Sequence, residues 1–190
     1  MGRKLSDWLY RISTGRVTLA ALVIFLLFGA TVLPEQAARA EEETGTGRSP
    51  DTSLFYTPDE LYEMAEAYGQ EGRRAYIRAR FTFDLIFPLV YLFFLVTAVS
   101  WVYGKAFAAA SVWRWANLFP VLGALFDYLE NTSASIVMAR YPQPTPVVDT
   151  LAPVFTFVKW IFVGGSFVVL TVGLVAWGVQ WMGSHRRSAD

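Results

Sequence analysis

The chain has no cysteine, which excludes a disulfide framework, a thiolate metal site and a cysteine nucleophile. Histidine is almost as scarce. The single one, His185, stands beside Arg186 and Arg187 near the C-terminus and reads as a solvated residue. One imidazole and no thiolate leave zinc and haem without a ligand set, so no metal and no other cofactor is expected. Charge is thin, at 17% of residues against about 25% in average soluble proteins. The 16 Lys and Arg are matched by 16 Asp and Glu, and this zero balance speaks against a nucleic-acid binder, which needs a basic excess, and against an acidic disordered chain. The glycine-rich phosphate loop, the dinucleotide fingerprint, the nucleophile elbow and internal repeats are also missing.

What remains is apolar: 54% of residues are hydrophobic, and they gather in four long runs. The first covers residues 17–33 and has no charge. The second, residues 81–103, carries Asp84. The third, residues 115–138, carries Asp127 and Glu130, and the fourth, residues 153–182, carries Lys159. Each reaches across a hydrocarbon core of about 30 Å at ~1.5 Å per residue, the first only just. A backbone in lipid must satisfy its own hydrogen bonds, so each run is expected to be helical. The fold expected is an all-α integral membrane protein, a bundle of four transmembrane helices with an extracytoplasmic amphipathic helix between the first and second spans.

Lys and Arg near the span ends set the orientation. The segment 1–16 has Arg3, Lys4, Arg11 and Arg16 against Asp7; the loop 104–114 has Lys105 and Arg114; the tail 183–190 has Arg186 and Arg187 against Asp190. Four crossings put all three on one side, so both termini are expected in the cytoplasm, across a plasma membrane of the bacterial type. Trp8, Trp101, Trp113, Trp115, Trp177 and Trp181 fall at that same end, and Trp160 near the other.

The opposite side receives an insert, residues 34–80, and a short loop, residues 139–152. Within the insert, residues 35–53 contain Glu41-Glu42-Glu43 and then Gly45, Gly47 and Pro50, and read as a flexible solvated linker. A helix start follows: Thr57 as N-cap, Pro58 at the first helical position and Glu60 completing the capping box, with Leu61, Met64, Ala65 and Tyr68 at helical spacing. Gly69 and Gly72 should interrupt it. A basic helix over residues 73–80 should then run straight into the second span.

A charge at mid-bilayer costs about 2.5–3.5 kcal/mol on insertion scales, so charges inside spans usually face the bundle and find partners. Asp84, Pro88 and Tyr91 share a face of the second span, and Pro88 removes the hydrogen bond to the Asp84 carbonyl. Asp127, Glu130 and Asn131 share a face of the third, continued by Gly123, Ala134 and Ser135. Lys159 lies in the outer half of the fourth, with Thr156 and Ser166 near its face. Gly164-Gly165 should let another helix approach.

Asp84, Asp127 and Glu130 are therefore the expected acid–base residues. Asn131, Lys159, Tyr91, Arg74, Arg78 and Arg80 are the expected ligand-binding ones. Simple alternatives exist for some of them: an Arg80–Asp84 surface ion pair, a Lys159 that snorkels to the headgroups, and basic residues that merely pair with Glu63, Glu66 and Glu71. The function expected is binding or modification of a lipid-like ligand by carboxylate acid–base chemistry, with membrane lipids as partners. The alternatives are an accessory subunit, whose in-span charges meet a membrane-protein partner or a second copy of the chain, and a proton- or cation-coupled transporter.

Ala38-Arg39-Ala40 before Glu41 also fits a signal-peptidase site, whose use would remove the first span. The apolar run is longer than the ~7–15 residues of a signal-peptide core, so the span is expected to be retained. N-terminal sequencing of the mature protein should find residues upstream of the first span; a start at Glu41 would leave three spans.

Overall fold

The computed structural model describes residues 2–187, and residues 185–187 by backbone alone. The side chains of His185, Arg186 and Arg187 and the remainder of the expected basic tail lie outside the described residues. Within them the chain is all helical, without strands: α1 (Gly2–Ile12), α2 (Gly15–Leu27), α3 (Leu33–Thr44), α4 (Pro58–Ala67), α5 (Gly69–Arg80), α6 (Phe83–Ala106), α7 (Phe119–Arg140) and α8 (Val148–Arg187). Three helical stretches, Gly15–Thr44, Gly69–Ala106 and Val148–Ser184, are long and apolar enough to cross a membrane.

The sequence explains how these elements begin and end. Thr14 caps α2 by accepting from the Val17 amide. A π-helical turn, Phe28–Val32, then joins α2 to α3, so the helix does not stop at residue 33. This corrects the expectation of a flexible linker: residues 35–44 are helical, and they lie against α5. The stop comes at Gly45, whose φ of 69° is the left-handed conformation in which glycine ends helices cheaply. The Thr57–Glu60 capping box forms at the start of α4 with both reciprocal bonds present. The break after α4 lies at Gly69, with φ of 61°. Gly72 does not interrupt anything. It sits inside α5, where a Cβ would meet the Glu43 carbonyl at 3.2 Å and Thr44 Cα at 3.3 Å, so its smallness lets α3 close on α5. The passage from α5 to α6 is not straight either, because Phe81 and Thr82 form a turn between the two helices.

The most polar of the long helices lies among the others. α7 carries Asp127, Glu130 and Arg140 in 22 residues and is not one of the three stretches apolar enough to cross a membrane by itself. It packs chiefly on α8, with further contact to α6 and α5, and buries Gly123, Ala124, Asp127, Glu130, Asn131 and Ala134. More than half of the apolar part of α6 is buried, whereas α2 and α8 leave most of theirs exposed. Polar side chains thus turn inward and apolar ones outward, the inverse of a soluble helix pair.

The end that contains α1 is closed by a small polar knot. Ser6 donates to Asn117 Oδ1 at 2.8 Å, and the Asn117 amide group donates to Ser6 O and Ser100 Oγ. Trp101 and Trp177 pack edge to face beside it. At the opposite end, the core is Tyr56, Leu61, Met64, Tyr76, Val137 and Met138, which fastens the insert onto α7 and α8.

Close approach of α7 and α8 occurs at Gly123, where a Cβ would lie 2.9 Å from Val163 Cγ2 and 3.3 Å from the Val163 amide nitrogen. The expected role of Gly164 is not seen, since nothing stands within 4 Å of a Cβ placed there, and Gly165 meets only the Phe119 ring at 3.6 Å. Gly123→Ala should therefore lower stability by about 1–3 kcal/mol through overpacking. Gly164→Ala should be neutral or stabilise by up to about 1 kcal/mol, since alanine is the better helix former. Thermal unfolding of both variants in one detergent checks the contrast; equal losses would place the close approach elsewhere.

Candidate functional site

The ion-pair network at the insert end starts from a turn. Gly45 releases the chain from α3, Tyr68 donates to the Arg48 carbonyl at 2.6 Å, and Pro50 opens a single 3₁₀ turn, Pro50–Thr52. Ser53 closes that turn through its amide to Pro50 O and its hydroxyl to Ser49 O. Trp160 of α8 donates to the Ser53 carbonyl at 2.9 Å. The result is a rigid loop that points Asp51 at α5 and α8.

Asp51 lies between two buried cations. Its Oδ2 is 3.2 Å from Nη1 of Arg80, and its Oδ1 is 3.1 Å from Nζ of Lys159. Arg80, with 8% of its side chain exposed, also places Nε 2.9 Å from Asp84 Oδ2 and stacks over the Tyr76 ring. Lys159, with 4% exposed, also pairs with Glu130, whose side chain is wholly buried. The chain of charges therefore reads Asp84, Arg80, Asp51, Lys159, Glu130. Burial pushes the Asp51 carboxyl up, but Lys159 and then Arg80 more than reverse this and hold it well below the usual carboxylate range.

Asp127 stands beside this chain without a cation of its own among the described residues. Tyr91 donates to its Oδ2 at 2.8 Å, and Asn131 donates to its Oδ1 at 3.1 Å. One carboxylate oxygen each from Asp51, Asp127 and Glu130 lies within 4.8 Å of the others. Four acids, Asp51, Asp84, Asp127 and Glu130, thus share two bases, Arg80 and Lys159.

Of the side chains that the sequence singles out, Asp84, Tyr91, Asp127, Glu130, Asn131, Lys159 and Arg80 come together. The Arg80–Asp84 pair is present but buried rather than at the surface, and Lys159 turns inward rather than snorkelling. Arg74 and Arg78 stay apart from the cluster: both are exposed, pairing with Glu71 at 2.9 Å and Glu43 at 3.2 Å. Arg73 instead donates to the Ala65 carbonyl and stacks over Tyr141. Thr156 and Ser166 are fully buried on α8, and Thr156 sits 3.1 Å from the Tyr56 hydroxyl. Sequence reasoning missed Asp51, the residue that joins the two halves of the network. The only signal for it was the Ser49-Pro50-Asp51-Thr52 turn, a pattern that fixes a loop without saying which way its acid points.

A cavity of about 410 Å³ opens between α3, the 45–52 loop and α5. Asp51, Arg80 and Asp84, with Glu41, Glu43 and Arg48, form its charged part; Leu33, Ala37, Ala75, Ala79, Phe83 and the Tyr76 ring supply apolar wall. Asp127, Glu130 and Asn131 are not part of the lining and lie behind Asp51 and Arg80. The chain matches no known protein family, and comparison with curated proteins and with solved structures finds no match.

Breaking the pair at Glu130 should be costly. Lys159→Met strands a buried carboxylate, and such losses run to about 3–5 kcal/mol. Replacing both partners, Lys159→Met with Glu130→Met, should recover more than half of that loss. Unfolding titrations of the single and double variants measure the coupling; additive losses would mean that the two side chains do not stabilise each other.

Proposed function

We propose that the chain is an integral membrane protein of four spans, α2, α6, α7 and α8, with both termini on the cytoplasmic side of a bacterial-type plasma membrane. In this reading α7 crosses with its polar face turned onto α8 and α6 and its leucines outward, while α3, α4 and α5 lie on the outer side. The basic residues near the α1 end and the tryptophans gathered there support this orientation. The burial of Ala21 against α6, with Phe25 stacked on Phe94, supports a retained first span.

The function that the geometry favours is binding of a small lipid-like ligand in the cavity between α3 and α5, with acid–base chemistry at a carboxylate. The observation that carries it is the cavity itself: apolar walls lead to a buried Asp84–Arg80–Asp51 group. Asp84 is the group placed to exchange a proton with such a ligand, and Arg80 is placed to hold its polar head. Asp127 and Glu130, behind them, act on the ligand only through this layer.

The other readings gain less support. A subunit whose in-span charges await a partner protein would leave them unpaired, yet Asp84, Arg80, Lys159 and Glu130 find partners within the chain. A transporter needs a polar path through the bundle, and the buried positions of α6 beyond Tyr91 include Leu95, Ala98, Val99 and Val102.

Native mass spectrometry of the purified protein tests the lipid reading. The wild type should retain lipid. Ala79→Trp, which fills the cavity, should lower that retention at least tenfold while the protein remains monodisperse. Asp84→Asn should keep the ligand but abolish its turnover. Lipid retained equally in wild type and Ala79→Trp would sink the proposal.

A further inference from the structure

We propose that Asp51, Asp127 and Glu130 form a binding site for a divalent cation of the hard, oxygen-seeking class, such as Mg²⁺, Ca²⁺ or Mn²⁺. The geometry comes first. One oxygen from each carboxylate lies within 4.8 Å of the other two. Hard cations hold oxygen at about 2.0–2.6 Å, so ligands on opposite sides of one ion stand up to ~5 Å apart. The three oxygens are close enough together to share a single ion.

Charge is the second argument. With all groups ionised, Asp51, Asp84, Asp127 and Glu130 bring four negative charges against the two positive charges of Arg80 and Lys159. Two negative charges are left over. Apart from Asp51, whose side chain is 30% exposed, these groups are almost wholly buried, where uncompensated charge is very costly. One divalent ion cancels that excess.

Unsatisfied acceptors are the third. Glu130 is fully buried, and its Oε1 receives no hydrogen bond; Lys159 lies against the other oxygen, Oε2. Asn131, 3% exposed, uses its amide NH₂ on Asp127, which leaves its own Oδ1 buried without a donor beside the same cluster. Acceptors without donors are what a cation satisfies and a hydrogen-bond network does not. Lys159 fills this role only in part: its ammonium contacts Asp51 and Glu130 and acts on Asp127 from beyond ion-pair distance.

The ligand set identifies the class of ion. Every donor is a carboxylate or an amide oxygen, which suits Mg²⁺, Ca²⁺ and Mn²⁺ rather than metals that seek imidazole or thiolate. Access runs through the cavity, whose lining carries Glu41, Glu43, Asp51 and Asp84 against Arg48 and Arg80, so acids outnumber bases there. The inference does not depend on the lipid reading. Asp84, the proton-exchanging group of that reading, is not among the three carboxylates, and a bound ion leaves it free to act.

The experiment uses the full chain in lipid nanodiscs, stripped of metal and titrated with Mn²⁺ near neutral pH while the spin-resonance signal of free Mn²⁺ is followed. About one Mn²⁺ per chain should disappear from the free signal and return on addition of excess Mg²⁺ or Ca²⁺. Asp127→Asn, which keeps one acceptor oxygen for Tyr91 and breaks no ion pair, should weaken binding at least tenfold. Glu41→Gln with Glu43→Gln should leave the stoichiometry unchanged. An undiminished free signal with the wild type would overturn the proposal, and would mean that protons rather than a metal balance the cluster. Binding that survives Asp127→Asn but disappears with the glutamate pair would overturn it too, by placing the ion on the exposed acids. Lipid retention is read separately by mass spectrometry, so failure here leaves the lipid reading standing, and the reverse holds.

Discussion

Asp51 stands between Arg80 and Lys159, two cations carried by helices that cannot fully satisfy them. Arg80 belongs to α5 and has Asp84 one turn away; Lys159 belongs to α8 and has Glu130 across the α7 interface. Each pair by itself is local. A loop acid that reaches both joins α5, α6, α7 and α8 into one electrostatic unit. The loop is held by Tyr68 on Arg48 and by Trp160 on Ser53. Burying this many charges costs more than it returns unless each is paired, so the network demands a fixed loop as much as it stabilises one.

The same constraint arranges the rest of the molecule. A helix with two acids and an amide on one face cannot present that face to an apolar medium, so α7 turns it inward, while Leu122, Leu125, Leu129 and Ile136 on its other side stay exposed. Gly123 lets Val163 of α8 come within contact of its backbone, and Ala134 and Ser135 continue the narrow face. α2 and α8, with the outer sides of α6 and α7, then supply the outward apolar surface. At the other end, Asn117 fastens α1 to α6 through Ser6 and Ser100, which closes the bundle with neutral hydrogen bonds instead of charges. One end is thus strongly polar and open to a charged cavity, and the other is held by a small neutral knot.

Much of this was legible in advance because the relevant patterns are local. Unbroken apolar runs identify helices that suit a membrane, and the capping box at Thr57 fixes where α4 starts. In-span charges must face inward, and so Asp84, Asp127, Glu130 and Lys159 could be grouped before any fold was known. Other features have no local signature. Residues 35–44 looked like linker because their acidic, small-residue composition resembles one, yet they form α3, whose last turn at Glu43 and Thr44 closes on α5 where Gly72 has no side chain. Arg74 and Arg78 resembled Arg80 in sequence, and only the direction of each side chain from α5 separates a surface pair from the buried network.

By itself the sequence determined the all-helical class, the presence of helices long and apolar enough to cross a membrane and the scarcity of ligands other than oxygen. Hydropathy and helix-end chemistry depend on neighbours a few residues apart, so one dimension is enough to read them. The tertiary structure alone decided that Asp51 joins the cluster, that four acids share two bases, and that a cavity reaches Asp84 but not Asp127. These are matters of distance between residues up to about a hundred positions apart, from Asp51 to Lys159, and electrostatic energy depends on that distance and on burial rather than on order along the chain.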